Sequence, residues 1–235
     1  MSVALHQAVD LNEVPRYSIS EAARYLRMPE STLANWAAGR TYPSAGGEKF
    51  WPALIARPEE GDSRLSFSNL IEAYVLTALR KQYRVKVPVI RTAMDYAEQK
   101  LGEKRILLSK ELRVTRGNIF LQYLDSLVNV GRGGQEAMPE ILEAYLERIS
   151  WNEAGAPFQV FPFTRPGLHN APKLIAINPS LAFGRPIVER RAISTSAIAE
   201  RFQAGESIQS LAEDYDLEAA EVEDAIRYEA LPLAA

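Results

Sequence analysis

The chain has 235 residues, 47% hydrophobic and 24% charged, which suits one large or two to three small packed domains and excludes disordered, collagen-like and coiled-coil classes. It has no cysteine, which removes disulfides, thiolate metal ligands and a thiol nucleophile. Met1 to Asp10 lacks the basic start and apolar stretch of a signal peptide, and no apolar run approaches the roughly 20 residues that cross a bilayer, so a cytoplasmic protein with no membrane partner is expected. The net charge of −3 hides a gradient. Residues 1–105 carry 15 Lys+Arg against 12 Asp+Glu, residues 106–172 carry 6 against 7, and residues 173–235 carry 6 against 11. Phosphate binding depends on local cations and not on the chain total, so the first segment is the candidate nucleic-acid end and the last suits a cationic protein surface.

Residues 1–15 read as a flexible tail. Ser18-Ile19-Ser20-Glu21 then fits a capping box, and Ile19, Ala22, Ala23 and Leu26 give the helix behind it one apolar face. A short turn at Met28 leads to a second helix with Pro29 at its first position, running to about Ala38 with Gly39 as its stop. Leu33, Trp36 and Ala37 are spaced to face inward. Ser31, Thr32 and Asn35 fall on the other side, where hydroxyls and a carboxamide can bond phosphates or base edges. Arg40 lies just past the helix, in reach of a phosphate. Two short helices with polar groups on the outer face of the second match helix-turn-helix docking in a major groove. Thr41 to Arg64 is rich in Pro and Gly; an extended stretch at Phe50, Trp51, Leu54 and Ile55, with Arg64-Leu65-Ser66 returning beside it, would form a wing carrying Lys49, Arg57 and Arg64. The contact set for duplex DNA is therefore Ser18, Ser31, Thr32, Asn35, Arg40, Lys49, Arg57 and Arg64.

A third helix begins at Ser66 or Ser68 with Phe67, Leu70, Ile71, Tyr74, Val75, Ala78 and Leu79 as a strong apolar pattern, and Pro88 opens a fourth that ends near Gly102. Arg80, Lys81, Arg84 and Lys86 between them make a cationic corner, which a solvated surface would explain equally well. Residues 106–172 read as an α+β connecting segment: a strand pair at Ile119-Phe120-Leu121 and Leu127 to Val130, a Gly-rich loop at 131–134, a helix from Glu136 to Ser150, and a strand through Phe158 and Phe163. Pro157–Pro172, with four prolines, is the linker. Residues 173–235 form a smaller unit: a strand at 173–177, a turn at Phe183 into a second strand, and helices at about Ser194–Ala204, Ser207–Asp214 and Glu218–Glu229.

The fold class expected is mainly α with small β elements: an N-terminal winged helix-turn-helix (16–105), the α+β segment (106–172), and a C-terminal helix-turn-helix-like domain (173–235). Residues 206–229 hold nine acids and one base, Arg227, so the last unit would repel phosphates and suits protein binding or dimerisation. Only two histidines exist, His6 and His169, and acid pairs such as Glu213-Asp214 are sequence neighbours that diverge by about 100° on a helix, so no catalytic site, cofactor or metal is expected.

Two resemblances extend this reading. Tyr17 to Ala23, Ser31-Thr32-Leu33 and Arg64 to Leu70 resemble the MerR-type winged helix-turn-helix, although Ala34, Asn35 and Trp36 stand where members of that family often carry arginine and aromatics. Asn178-Pro179, Phe183-Gly184-Arg185-Pro186, Ile198 to Phe202, Ala204 to Ile208, Leu211 to Tyr215 and Ala225 to Glu229 closely resemble the DUF433 family. Glu189-Arg190-Arg191-Ala192 departs from its usual Gly-containing turn. Tyr145 to Ile149, Pro162-Phe163 and residues 31–40 resemble its longer members, which join that domain to a MerR-like front half. The resemblance implies a VapB-like antitoxin of a type II toxin–antitoxin pair. It would mask a PIN-like ribonuclease and repress its own operon by binding operator DNA, as a homodimer matching a two-fold site. Arg185, Arg190, Arg191, Glu213 and Asp214 are the candidate toxin contacts; local hydrogen bonding is the plainer explanation for the three arginines. The alternatives are a stand-alone MerR-like regulator sensing a small molecule near Phe158, Phe161 and Phe163, and a pure interaction scaffold.

Overall fold

The computed structural model describes residues 9–44, 46–81, 85–109, 120–124, 126–127, 138–164 and 171–230. It is mainly helical, with three small antiparallel sheets among the described residues.

Helix α1 (Ile19–Leu26) starts with the expected capping box: the Glu21 amide donates to Ser18 Oγ at 3.1 Å and the Ser18 amide donates to the Glu21 carboxylate at 2.9 Å. It ends at Arg27, whose left-handed backbone (φ 54°) turns the chain so that the Met28 amide returns to the Ala23 carbonyl. Pro29 is the N-cap of α2 (Glu30–Ala38), one position earlier than the spacing suggests. Leu33, Trp36 and Ala37 are buried against α1, whose Ala22 and Ala23 let the two helices approach.

Gly39 ends α2 at φ +77°, and a Cβ there would stand 2.4 Å from the Trp51 carbonyl oxygen. The chain therefore turns straight into β1 (Arg40–Ser44), which pairs antiparallel with β2 (Gly47–Trp51). The wing is thus made by residues 40–44 and 47–51, directly after α2, which corrects the expected pairing of residues 50–55 with 64–66. Leu65 is fully buried and bonds Tyr17 instead, with the Leu65 amide donating to the Tyr17 carbonyl at 2.7 Å. Burying the Leu65 side chain beneath α1 outweighs a longer wing. The Leu54 and Ile55 amides donate to the Trp36 carbonyl at 2.8 and 3.0 Å, satisfying an acceptor at the end of α2.

Helix α3 (Phe67–Lys81) is the centre of the molecule. Residues 67–79 are all buried, so it is covered on every side. Its buried carboxylate is paired: Glu72 is held by Arg105 at 2.9 Å and by the Asn69 carboxamide at 3.0 Å. Helix α4 (Val87–Tyr96) opens with a proline in its first turn and runs on through one π turn (Ala97–Leu101) to Gly102. A single apolar cluster joins α1, α2 and α3 to Leu107, Phe120, Leu142 and Tyr145.

Residues 120–124 (α5) are helical and not the expected strand, and so is Leu127 of its expected partner; residues 128–130 and loop 131–134 lie outside the described residues, as do His6 and His169. Phe120 and Leu124 are both buried four apart, a helical spacing. Helix α6 (Met138–Leu146) stops earlier than expected, because Ile149–Trp151 forms β3 against β4 (Pro157–Val160). Arg148, 2% exposed, donates to the carbonyls of Phe161 (2.6 Å), Ala171 (2.7 Å), Pro172 (3.2 Å) and Pro162 (3.4 Å), binding both ends of the proline-rich segment. Burial lowers its pKa.

The C-terminal elements are β5 (Ile175–Ala176), β6 (Ile187–Val188), β7 (Ile193–Ser194), α7 (Thr195–Gln203), α8 (Ile208–Tyr215) and α9 (Ala219–Ala230). Their core is Ile175, Val188, Ile198, Leu211, Leu217, Val222, Ala225 and Tyr228. Val160 and Ile177 exchange amide-to-carbonyl bonds at 3.0 and 2.8 Å, and α9 rests on α1. The Tyr228 hydroxyl donates to the Tyr25 carbonyl at 2.9 Å, the Arg27 guanidinium lies 4.4 Å over the Tyr228 ring, and Arg24 pairs with Glu229 at 2.7 Å.

Candidate nucleic-acid interface

The outer face of α2 opens onto a shallow cleft. Thr32 and Asn35 line it from α2, Arg40 and Trp51 from the wing, Arg80 from the last turn of α3, and Arg91 from α4. Among the described residues no aspartate or glutamate lines it. Trp36 turns its buried side inward, as its spacing requires, and only closes the floor of the cleft.

The wing register fixes which side chains share this side. Arg40 opposes Trp51 and Tyr42 opposes Lys49. Directly opposed residues share a face and positions two apart in a strand do as well, so Arg40, Tyr42, Lys49 and Trp51 form one face and Thr41, Pro43, Glu48 and Phe50 the other. Tyr42 and Trp51 stack at 4.3 Å between ring centroids, and the Arg40 guanidinium lies 6.0 Å from the Trp51 ring. The cleft-side face of the wing thus carries two cations and two aromatics, and its one acid, Glu48, points away.

Of the eight residues expected to meet DNA, the fold gathers Thr32, Asn35 and Arg40 at one cleft. Ser31 is exposed on the same helix and Lys49 on the same wing face. The other three are engaged elsewhere. Ser18 spends its hydroxyl on the capping box. Arg64 holds Asp62 at 2.7 Å and Arg57 donates to the Asp62 carbonyl at 2.9 Å, which closes the turn after the wing; the Arg64 hydrogen bonds hold the Asp62 carboxyl below the usual carboxylate range. Arg80 belongs to the cationic corner visible in the sequence. Arg91 had no local signal, because 51 residues separate it from Arg40 and only the packing of α4 beside the wing joins them.

The C-terminal candidates are arranged otherwise. Arg190 grips the Glu221 carboxylate at 2.9 Å and donates to the Asp216 carbonyl at 2.7 Å, while Arg191 pairs with the Asp216 carboxylate. Burial raises the Glu221 pKa, but the Arg190 hydrogen bonds and the Glu218 amide outweigh it and leave the group below its ordinary value. Asp214 pairs with Arg201 at 2.7 Å. Arg185 and Glu213 are exposed.

Comparison with known proteins follows the same division of the chain. Residues 15–94, which contain α1, α2, the wing and most of α4, match a family described as "Putative DNA-binding HTH domain". Residues 175–228 match the family "Protein of unknown function (DUF433)". The C-terminal unit is therefore similar to the DUF433 family over almost all of its helical part. Two curated Mycobacterium tuberculosis (strain ATCC 25618 / H37Rv) proteins are similar to almost the whole chain. "Putative antitoxin VapB45" is 29% identical over 233 residues, covering 91% of this chain and 93% of the relative, and "Uncharacterized protein Rv2308" is 26% identical over 221 residues, covering 90% and 89%. The crystal structure of Rv2018 from the same organism superposes with a TM-score of 0.67 at 26% identity, covering 91% of this chain and 98% of that one. The helix-turn-helix and the DUF433 domain therefore occur together, as the sequence motifs indicate. Among the described residues no helix is long and apolar enough to cross a membrane.

Proposed function

We propose that this protein is an antitoxin that binds operator DNA through α2 and its wing and neutralises a PIN-like ribonuclease through its DUF433 domain, repressing its own operon as a homodimer. The observation that carries the DNA half is the cleft at which Thr32 and Asn35 of α2 meet Arg40 of the wing with no acid beside them. Neutral hydrogen-bonding groups on a helix flanked by guanidinia suit base edges bordered by phosphates. The geometry agrees with a MerR-like mode, in which α2 enters the major groove and the face bearing Arg40 and Lys49 follows the backbone. Arg57 and Arg64 would support the wing turn and Ser18 would fix the start of α1.

The toxin half rests on the similarity to the VapB45 relative and on charge. A ribonuclease must attract a polyanion, so its mouth is basic, and the acidic DUF433 surface would be steered to it. Arg185 and Glu213 are the candidate contacts free to meet it directly; Arg190, Arg191 and Asp214 would shape that surface through the pairs they already form.

Fluorescence anisotropy with a duplex from the gene's own upstream region tests the DNA half. Saturable binding is expected, and Thr32→Glu with Asn35→Glu should weaken it by at least about 100-fold, about 2.7 kcal/mol, without changing the melting temperature. No binding in low salt, with or without a co-purified partner, rejects it. Co-expression with a neighbouring PIN-like reading frame should give a stable complex with masked ribonuclease activity, and light scattering should show two copies of this chain.

A further inference from the structure

The cleft beside α2 holds two guanidinia that belong neither to the helix-turn-helix nor to the wing. Arg80 leaves the last turn of α3 and Arg91 the second turn of α4, yet both line the same opening as Thr32, Asn35 and Arg40. Each is aimed by a backbone carbonyl. Arg91 donates to Pro52 at 2.6 Å and to Ala53 at 3.4 Å, and Arg80 donates to Val85 at 3.3 Å. A guanidinium has five N–H donors, so these bonds fix the direction of each side chain and leave donors over.

Several arginines elsewhere in this protein are matched with carboxylates. Arg24, Arg64, Arg105 and Arg201 each hold one within 3 Å. At the cleft three guanidinia face one opening whose lining contains no acid among the described residues. Like charges so gathered repel until an anion enters between them, and the planar donors of arginine suit phosphate oxygens in a two-pronged grip. The neighbouring Thr32 hydroxyl and Asn35 carboxamide add neutral donors. The cleft is open and continues onto the wing face with Arg40 and Lys49, a shape for one member of a chain of anions.

We infer that Arg80 and Arg91, with Arg40, form a seat for a single backbone phosphodiester of duplex DNA at the junction of α2, the wing and α4, which sets the depth and angle of α2 in its groove. This inference rests on the DNA-binding reading and adds the third and fourth helices to the contact surface. A phosphate contact carries no sequence information, so losing it weakens all duplexes alike and lowers the salt dependence.

The test is the slope of log affinity against log salt for the full chain, measured by anisotropy between 0.05 and 0.2 M NaCl on the upstream duplex and a scrambled duplex. Arg80→Gln and Arg91→Gln should each flatten the slope, and the double variant should flatten it by about 0.9, the share of one phosphate, with the same loss on both duplexes. Arg91→Lys should restore the slope, since it keeps the charge; unchanged melting of Arg80→Gln separates contact from fold. Wild-type binding with both single-variant slopes unchanged overturns this inference alone. Absence of wild-type binding to any duplex overturns the DNA-binding reading and this inference with it. Saturable binding of inorganic phosphate alone, abolished in Arg80→Gln, would assign the seat to a free anion and overturn the duplex assignment.

Discussion

The α1–α2 pair and the α8–α9 pair are built alike and charged differently. Each first helix ends in a non-glycine residue with left-handed backbone, Arg27 at φ 54° and Asp216 at φ 52°. In each, the next residue, Met28 or Leu217, is buried and sends its amide back to a carbonyl five positions earlier, at 3.0 Å to Ala23 and 2.9 Å to Ala212. The second helix then begins within one or two residues. The resemblance stops at the surface. Beyond the turn, α2 presents Ser31, Thr32 and Asn35 beside the arginines of the cleft, whereas the second turn and α9 expose Asp216, Glu218 and Glu223. The same turn thus serves two surfaces, one suited to phosphates and one opposed to them. The helix-turn-helix frame by itself therefore does not decide the partner; the side chains on its second helix do.

Removing what joins the two pairs gives the largest expected effect. Arg148→Met leaves four carbonyls of the proline-rich segment without their donor, and urea unfolding should show a loss of about 3 kcal/mol. A single sharp transition that persists at the wild-type midpoint would show that the segment needs no such tie. The two left-handed turns sharpen the comparison further. Asp216→Gly should stabilise by about 0.5 to 1 kcal/mol by relieving the backbone, less what the pair with Arg191 contributes, whereas Arg27→Gly should show no gain, because it also removes the guanidinium stacked on Tyr228. Equal gains in thermal melts would mean that the Arg27 stack contributes nothing.

The smallest effect is shared by both regions. Glu21 is held below the ordinary glutamate value by the Ser18 hydroxyl and amide, and Glu221 by Arg190 and the Glu218 amide against its burial. Both folded-state values lie below the unfolded one. Each contribution is therefore complete above the ordinary glutamate value of 4.5 and fades as pH falls through the folded value. Urea midpoints should be flat from pH 7 to about 5.5 and fall below about 4.5, and Glu21→Gln should reduce that acid dependence. A midpoint rising on acidification would contradict the assignment of these two carboxylates.

How much of this was legible in the sequence depends on distance along the chain. The capping box at Ser18 and Glu21, the inward triad Leu33, Trp36 and Ala37, and the three C-terminal helices rest on spacings within one or two turns, and the structure reproduces them within one or two residues. The strand expected at Phe120-Leu121 failed because a short apolar run is compatible with a buried helix or a buried strand, and the choice is made by the shared apolar cluster that Phe120 and Leu124 enter. The pairing of Leu65 with Tyr17, the early end of α6 at β3 and the arrival of Arg91 at the cleft are tertiary events between segments far apart in the chain, with no local period to announce them. The sequence thus identified the α2 half of the candidate site, and the α3 and α4 half required the fold.

The contact between Tyr228 and Tyr25 ties α9 to the first helix of the α1–α2 pair, and α1 is the surface on which α2 is seated. A load applied to α9 is therefore transmitted through one shared helix to the reading head. A body seated on the C-terminal unit would reach Thr32 and Asn35 only by way of α1, without touching them.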